Sequence, residues 1–284
     1  MQSAPNDYSV YRTVVNQLIS DKEQLPSLPK ITYEVRRALE NPNLPLPSLG
    51  KLISKDPSLT SLIMKYASSS MQRTKPQNLM DALHILGIKQ IERITMAHSV
   101  QSLFTIHSVQ HKRLYIEAWN RVKIKTAISS YLAQQLNKVT ADQALLGSLL
   151  SEIGSFAVLS AFKSSSRPPD QSTYVALCRE YSKSLGLIML KRWQLDDIYV
   201  DLIRSAGDWT ANSGKVFSLS DLNNLSLFHS IKMRGAGQDL PSIMHLSAYK
   251  KLLPHQNTLS LNGDLSIVAN NIDEILKLAD ELFE

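Results

Sequence analysis

The sequence predicts an all-α fold, and three observations predict it. Apolar residues recur at helical spacing through nearly the whole chain, and no stretch alternates apolar and polar residues as a half-buried strand does. The punctuation also suits helices, with Asp-Pro and Asn-Pro-Asn steps and isolated glycines between the periodic segments. At 284 residues, 43% hydrophobic and 20% charged, the chain is long enough for a sizeable core and has ordinary globular composition. The expected architecture is a multi-helix bundle of short and medium helices crossing at varied angles.

The first helix is read in "YSVYRTVVNQLIS", where Val10, Val14 and Leu18 share a face. The proline-rich "LPSLPK" precedes "ITYEVRRALE", and "NPNLPLPS" ends that helix because proline offers no backbone donor. Ser48 is a candidate cap for "LGKLIS". Asp56-Pro57 is a helix start with a mechanism: a carboxylate accepts at the cap, and the proline ring is already set at a helical φ. Asp81 caps or opens a short helix that stops at Gly87, and helical spacing resumes from Ile88 to Phe104. A long helix follows from about Leu114 to Leu136, with Trp119 on its inner face.

"LLGSLLSEIGSFAVL" (145–159) is an apolar run interrupted at Ser151-Glu152. Gly147, Ser151, Gly154 and Ser155 fall along one helix face, where small residues let a neighbouring backbone approach. "KSSSRPPDQS" (163–172) reads as an exposed loop, and helices are predicted at about 173–183, 184–192 and 195–205. Beyond Ala206 the texture changes: "GDWTANSGK", "RGAGQDLP" and "LPHQNTLSLNGD" are breaks, and "SIVANNIDEILKLADELF" reads as one closing amphipathic helix. No internal repeat is visible.

Composition narrows the function classes. A single cysteine, Cys178, forms no intramolecular disulfide and suits a reducing cytoplasmic setting. "MQSAPNDYSV" has neither a basic start nor an apolar stretch, so no signal peptide is expected. No apolar run is read as long enough for the roughly 20 residues of a membrane span. The formal charge of +6 raises the question of nucleic acid, but the basic clusters "HKR", "RVKIK" and "KRW" are short and interrupted. In "RVKIK", Arg121 and Lys125 share a face with Glu117, which reads as a solvated helix surface rather than a phosphate-binding stripe.

Other chemistries find little support. His107 and His111 have the i, i+4 spacing of paired ligands but straddle a predicted helix break, with no carboxylate or cysteine nearby to complete a site. His84 and His98 read as core-edge residues, and His229, His245 and His255 receive no role. Cys178, in "VALCREY", reads as a small buried hydrophobe rather than a nucleophile. Met64, Met71, Met80 and Met96 fit packing positions. No Gly-x-Ser-x-Gly phrase and no glycine-rich phosphate loop occur.

Several phrases together resemble one family. "LPSLPK" (25–30), "LISKDPSLTSLIMKYASSS" (52–70), "DALHILGIKQIERI" (81–94), Trp119, "LLGSLLSEIG" (145–154) and "LKRWQLDDI" (190–198) occur in the order seen in HDOD domains. The resemblance covers roughly residues 20–210, which sets an expected organisation of an N-terminal helix (1–19), an HDOD domain (20–210) and a C-terminal helical extension (211–284). HDOD domains are the non-hydrolytic relatives of HD-domain phosphohydrolases, so the resemblance implies an all-α, HD-like bundle.

The parent HD chemistry uses imidazoles and carboxylates to hold a divalent metal that sharpens a bound water for attack on phosphorus. On this chain the "HDIG"-like phrase reads Ser151-Glu152-Ile153-Gly154. The "WRHS"-like phrase reads Trp119-Asn120-Arg121-Val122, and the "HAELG"-like phrase reads Ser182-Lys183-Ser184-Leu185-Gly186. Arg204, Ser205 and Ala206 stand where some relatives carry further histidines. Arg121, Ser151, Glu152 and Ser182 are therefore former-site positions without their ligands. No catalytic residue, metal ligand or cofactor is expected, and Arg121 is the expected partner of Glu152.

The resemblance implies a cytoplasmic, bacterial-type regulatory module that acts through protein partners of a signalling pathway, in networks that include cyclic-dinucleotide signalling. Two alternatives stay open on the sequence. One is a divergent metal-dependent phosphohydrolase with a displaced ligand set. The other is a nucleotide or phosphate sensor without hydrolysis, with Arg121 and Lys183 as anion contacts.

Overall fold

The computed structural model describes residues 7–21, 25–41, 43–68, 75–103, 112–162, 168–211 and 214–283. The described residues are helical with no strand; the one extended feature is a single antiparallel bridge between Leu259 and Leu265. The backbone divides into two compact units, one of residues 27–105 and one of residues 1–26 with 106–284. His107, His111 and Met71 lie outside the described residues.

The smaller unit contains α1 to α4 in its own chain order: α1 Lys30–Leu39, α2 Leu46–Ile53, α3 Pro57–Ala67 and α4 Leu79–Ser102. Asp56 caps α3 as its sequence predicts, its carboxylate accepting from the Leu59 N–H at 3.0 Å. Burial alone would raise the Asp56 pKa, but bonds from the Leu59 N–H and the Ser58 hydroxyl, with His98 at 3.4 Å, bring it below its usual value. Gly87 takes φ 72° inside α4, so the predicted stop is a sharp kink between two helical stretches. Ser48 does not cap: α2 begins two residues earlier, behind Pro45, because proline already fits the first turn. Asn78, rather than Asp81, caps α4, and Asp81 accepts from the Gln77 N–H. Val35, Ile53, Leu59, Ile63, Leu83, Ile91 and Ile94 form the core of this unit.

The larger unit begins with α5 Asp7–Ser20, followed after residue 106 by α6 Lys112–Leu136, α7 Ala141–Leu150, α8 Ile153–Ser160 and α9 Gln171–Arg192. It continues with α10 Asp197–Ser205, α11 Leu219–Met233, a 3-10 turn at Ile243–His245, α12 Ser247–Lys250, α13 Ser266–Ala269 and α14 Ile272–Phe283. In α5, Val15 and Leu18 are buried while Val10 is exposed, so the inner face is rotated from the predicted one. The predicted pair 173–183 and 184–192 is one continuous helix, α9. The predicted closing helix is two, because Asn270 and Asn271 separate α13 from α14.

The expectation that no apolar run matches a membrane span needs correction. Ala141–Ser160 is long and apolar enough by composition, but most of it is buried in the protein and it breaks at Ser151-Glu152. Both its halves pack as core: α7 against α6, and α8 against α9. α6 is the central element, also contacted by α11 and α14.

Candidate functional site

The site begins with the break in the apolar run. Ser151 ends α7, and its hydroxyl donates back to the Ser148 carbonyl at 2.7 Å, satisfying one of the acceptors a helix end leaves open. Glu152, at φ −105° and ψ −4°, turns the chain, and its carbonyl then accepts the first bonds of α8 from the Ser155 and Phe156 N–H groups. Gly154 is the second residue of α8. A β-carbon there would lie 1.8 Å from the Ser182 carbonyl oxygen, so only glycine lets α8 lie this close to α9. Gly147 is tight mainly against the side chains of Leu202 and Leu219.

Into this break reaches Lys125 of α6. Its Nζ donates to the Ser151 hydroxyl and, at 2.5 Å, to Oε1 of Glu152. The Lys125 side chain is only 3% exposed. A buried ammonium needs an opposite charge and acceptors for its protons, and Ser151 and Glu152 supply both. Further along the same seam, the Thr126 and Ser148 hydroxyls meet at 3.0 Å. The basic stretch 121–125 is therefore not a solvated surface throughout, because at Lys125 the helix face turns inward.

One turn before Lys125, the Arg121 guanidinium lies over the ring of Tyr174, 5.5 Å from its centroid. The ring is fully buried, and its hydroxyl donates to the Ser155 carbonyl at 3.1 Å. Burial raises the Tyr174 pKa well above its usual value, with Arg121 pulling the other way. Burial likewise pushes the Cys178 thiol up to about 11, so it is a neutral group at physiological pH. Arg234 caps the C-terminus of α11, with Nε donating to the Ser230 carbonyl at 2.9 Å. Burial lowers its pKa, Arg121 lowers it further by charge repulsion, and Glu152 raises it.

Arg121, Ser151 and Glu152 thus share one locality, but the expected Arg121–Glu152 pair does not form. Glu152 bonds Lys125, and Arg121 stacks on Tyr174. Nor does Glu117 neutralise Arg121, since Glu117 accepts from Arg113 at 2.9 Å. Ser182 meets the locality through its backbone against Gly154. Lys183 is exposed and donates instead to the Arg204 carbonyl at the end of α10. Trp119 packs edge-on against Phe156. The sequence does not single out Lys125, Tyr174 or Arg234 as site residues; the i, i+4 spacing of Arg121 and Lys125 is the one local signal, and on sequence it reads as solvated.

The HDOD domain profile matches residues 25–208, well over half of the chain. The chain belongs to the HDOD family. By structure, this HDOD protein is similar to a "putative metal-dependent phosphohydrolase" of Shewanella amazonensis SB2B, with TM-score 0.76 and 21% identity, covering 95% of this chain and 99% of that one. It is also similar to an HDOD domain protein of unknown function from Geobacter sulfurreducens, with TM-score 0.62, 17% identity and coverage of 98% and 99%. A "putative signal transduction protein" of Marinobacter aquaeolei VT8 gives TM-score 0.54 at 16% identity, covering 98% of this chain and 65% of that one. At these identities the likeness is one of fold. An uncharacterised protein of Treponema pallidum (strain Nichols) is 22% identical over 204 residues, 66% of this chain, and this chain spans only 38% of that relative's length.

The HD relationship implies a divalent metal, and the residues at these positions do not fit one. Lys125, Ser151, Glu152 and Arg121 offer one carboxylate, one neutral hydroxyl and two cations, and the carboxylate already holds the ammonium. Among the described residues, no group of three or more His, Cys, Asp or Glu side chains could hold a metal.

Proposed function

We propose that this HDOD domain is a non-hydrolytic regulatory module that acts by binding protein partners of a signalling pathway. One observation carries the non-hydrolytic part: the Lys125 ammonium bonds both Ser151 and Glu152, so a chain-borne cation sits on the phrase that resembles the metal-binding pair. A dication brought there would meet an ammonium and a guanidinium before it met a free carboxylate. The name of the Marinobacter aquaeolei structure, which describes signal transduction, supports the regulatory part by analogy of fold. The resemblance extends this to partners in networks that include cyclic-dinucleotide signalling, with helical faces as the docking surface.

Elemental analysis of the full chain purified without chelator, joined to a phosphodiesterase assay, tests this reading. The expected result is substoichiometric iron and manganese with no turnover. Stoichiometric metal accompanied by hydrolysis overturns it. Affinity capture from the native cell, with partners identified by mass spectrometry, tests the regulatory part.

A further inference from the structure

α1 and α14 each turn one face to solvent, and the two faces match in spacing and oppose in charge. On α1, Thr32 and Val35 are buried, while Lys30, Tyr33 and Arg37 are exposed at positions i, i+3 and i+7. On α14, Ile275 and Ala279 are buried, while Asp273, Leu276 and Asp280 are exposed at the same i, i+3 and i+7. Each stripe therefore sets one largely apolar side chain between two charges, one about 4.5 Å before it and one about 6 Å after it along the helix axis. Tyr33 is 43% exposed and Leu276 41%. The flanking charges are cations on α1 and anions on α14.

Little within the chain uses these charges. Arg37 and Asp273 have no ion-pair partner among the described residues. Lys30 lies 3.6 Å from Glu34 but its side chain is 89% exposed, and Asp280 lies 3.2 Å from Lys123 but is 67% exposed. The whole helices repeat the contrast. α14 carries four carboxylates against one lysine in a chain of formal charge +6, and α1 carries three cations against one carboxylate. A single exposed apolar residue is ordinary on a protein surface. Two that occupy the same place in oppositely charged stripes of equal length are complementary, and one chain supplies both halves.

We propose that α14 of one copy of this chain docks on α1 of a second copy, with Leu276 against Tyr33 and the two aspartates against Lys30 and Arg37. The match holds in either helix direction, because a charge of the right sign stands one turn to each side of the central residue. Burying Tyr33 and Leu276 against each other supplies the attraction. Exposed ion pairs add little to it, so the four charges act mainly by choosing the partner and fixing the register. Because the two faces differ, the contact is heterologous, and each copy has one face of each kind to offer. The contact uses none of the residues of the Lys125–Glu152 locality and does not depend on the non-hydrolytic reading.

Sedimentation velocity of the full chain tests this, run as a concentration series at about 0.1 M and about 1 M sodium chloride, since the higher salt shortens the reach of charge from about 10 Å to about 3 Å. Reversible, concentration-dependent self-association is expected, and it is expected to weaken in the higher salt. Lys30→Glu/Arg37→Glu and Asp273→Lys/Asp280→Lys are each expected to weaken it about tenfold or more, because like charges then face each other. Mixing the two double variants is expected to restore association, since the reversed α1 of one meets the reversed α14 of the other. That recovery also shows both variants to be folded. Leu276→Ser changes no charge and is expected to weaken association about tenfold, as loss of a central apolar contact does. Monomer alone at about 100 µM in the lower salt overturns the proposal. So does association that the reversals leave unchanged, or a mixture of the two variants, each folded by circular dichroism, that stays monomeric. Any of these results leaves the metal and turnover measurements above untouched, so this inference and the proposed function fail separately.

Discussion

The carbonyl oxygen of Ser182 lies where a β-carbon on Gly154 would have to go, 1.8 Å from the ideal position of that atom. The obstacle is backbone on α9, so rotamer changes cannot relieve it. Gly154→Ala is expected to force α8 and α9 apart and to cost about 3 kcal/mol, the upper range for overpacking. Gly186→Ala is tight only against the mobile end of Ile203 at 3.1 Å, with the Gly154 backbone nitrogen at an ordinary 3.7 Å, and is expected to cost about 1 kcal/mol or less. Urea denaturation of the two variants checks the contrast, and equal midpoints would contradict it.

Lys125→Met removes the cation that compensates Glu152 and is expected to destabilise by about 3 kcal/mol, the lower end for breaking a buried pair, because solvent reaches part of Glu152. Glu152→Gln keeps an acceptor for Lys125 but strands its charge. The double variant Lys125→Met/Glu152→Gln is expected to be more stable than the sum of the single losses predicts, and a double-mutant cycle of denaturation free energies measures that coupling. Strict additivity would mean that the pair does not act as a unit.

With its pKa pushed from about 9 to about 11 by burial, Cys178 holds its proton more tightly in the folded chain than in the unfolded one. The sign follows: its stabilising contribution is complete below pH 9 and is lost as pH rises through 11. Native protein at neutral pH is therefore expected to label slowly with a disulfide reagent, and urea-unfolded protein to label at the rate of a free thiol. Rapid labelling of the native protein would contradict this.

A chain cut after residue 210 loses α11 and α14, both of which lie against α6. Leu222, Leu225 and Phe228 of α11 are buried, so their removal bares apolar surface on the helices that remain. Residues 1–210 are expected to aggregate or to show weakened helical signal, measurable by gel filtration and circular dichroism beside the full chain. A monomeric fragment with full helicity would show that the extension is dispensable.

How far the sequence discloses this molecule differs from element to element. Asp56-Pro57 and Gly87 are legible because the signal is local: a cap, a ring, a glycine at positive φ. The close approach at Gly154 is legible for the same reason, but the single small-residue face is not: Gly147 and Ser151 belong to α7 and its end, Gly154 and Ser155 to α8, and the two glycines meet different neighbours. α11 is not, because Ser220, Asp221, Asn223, Asn224, Ser226, His229 and Ser230 are all buried in it, and a helix that buries so much polarity shows no apolar stripe. Lys125 is the sharper lesson. Its two partners stand 26 and 27 residues away, and nothing within "RVKIK" tells a lysine facing Ser151 and Glu152 from one facing water. Only the crossing of α6 with the α7–α8 break distinguishes them.

An ammonium that holds Ser151 and Glu152 together has a consequence for the cell as well as for the fold. This positive charge is installed by translation itself. It awaits no metallochaperone, cannot be swapped for a rival ion, and withstands chelators and iron starvation alike. The bridge is complete as soon as the polypeptide has folded.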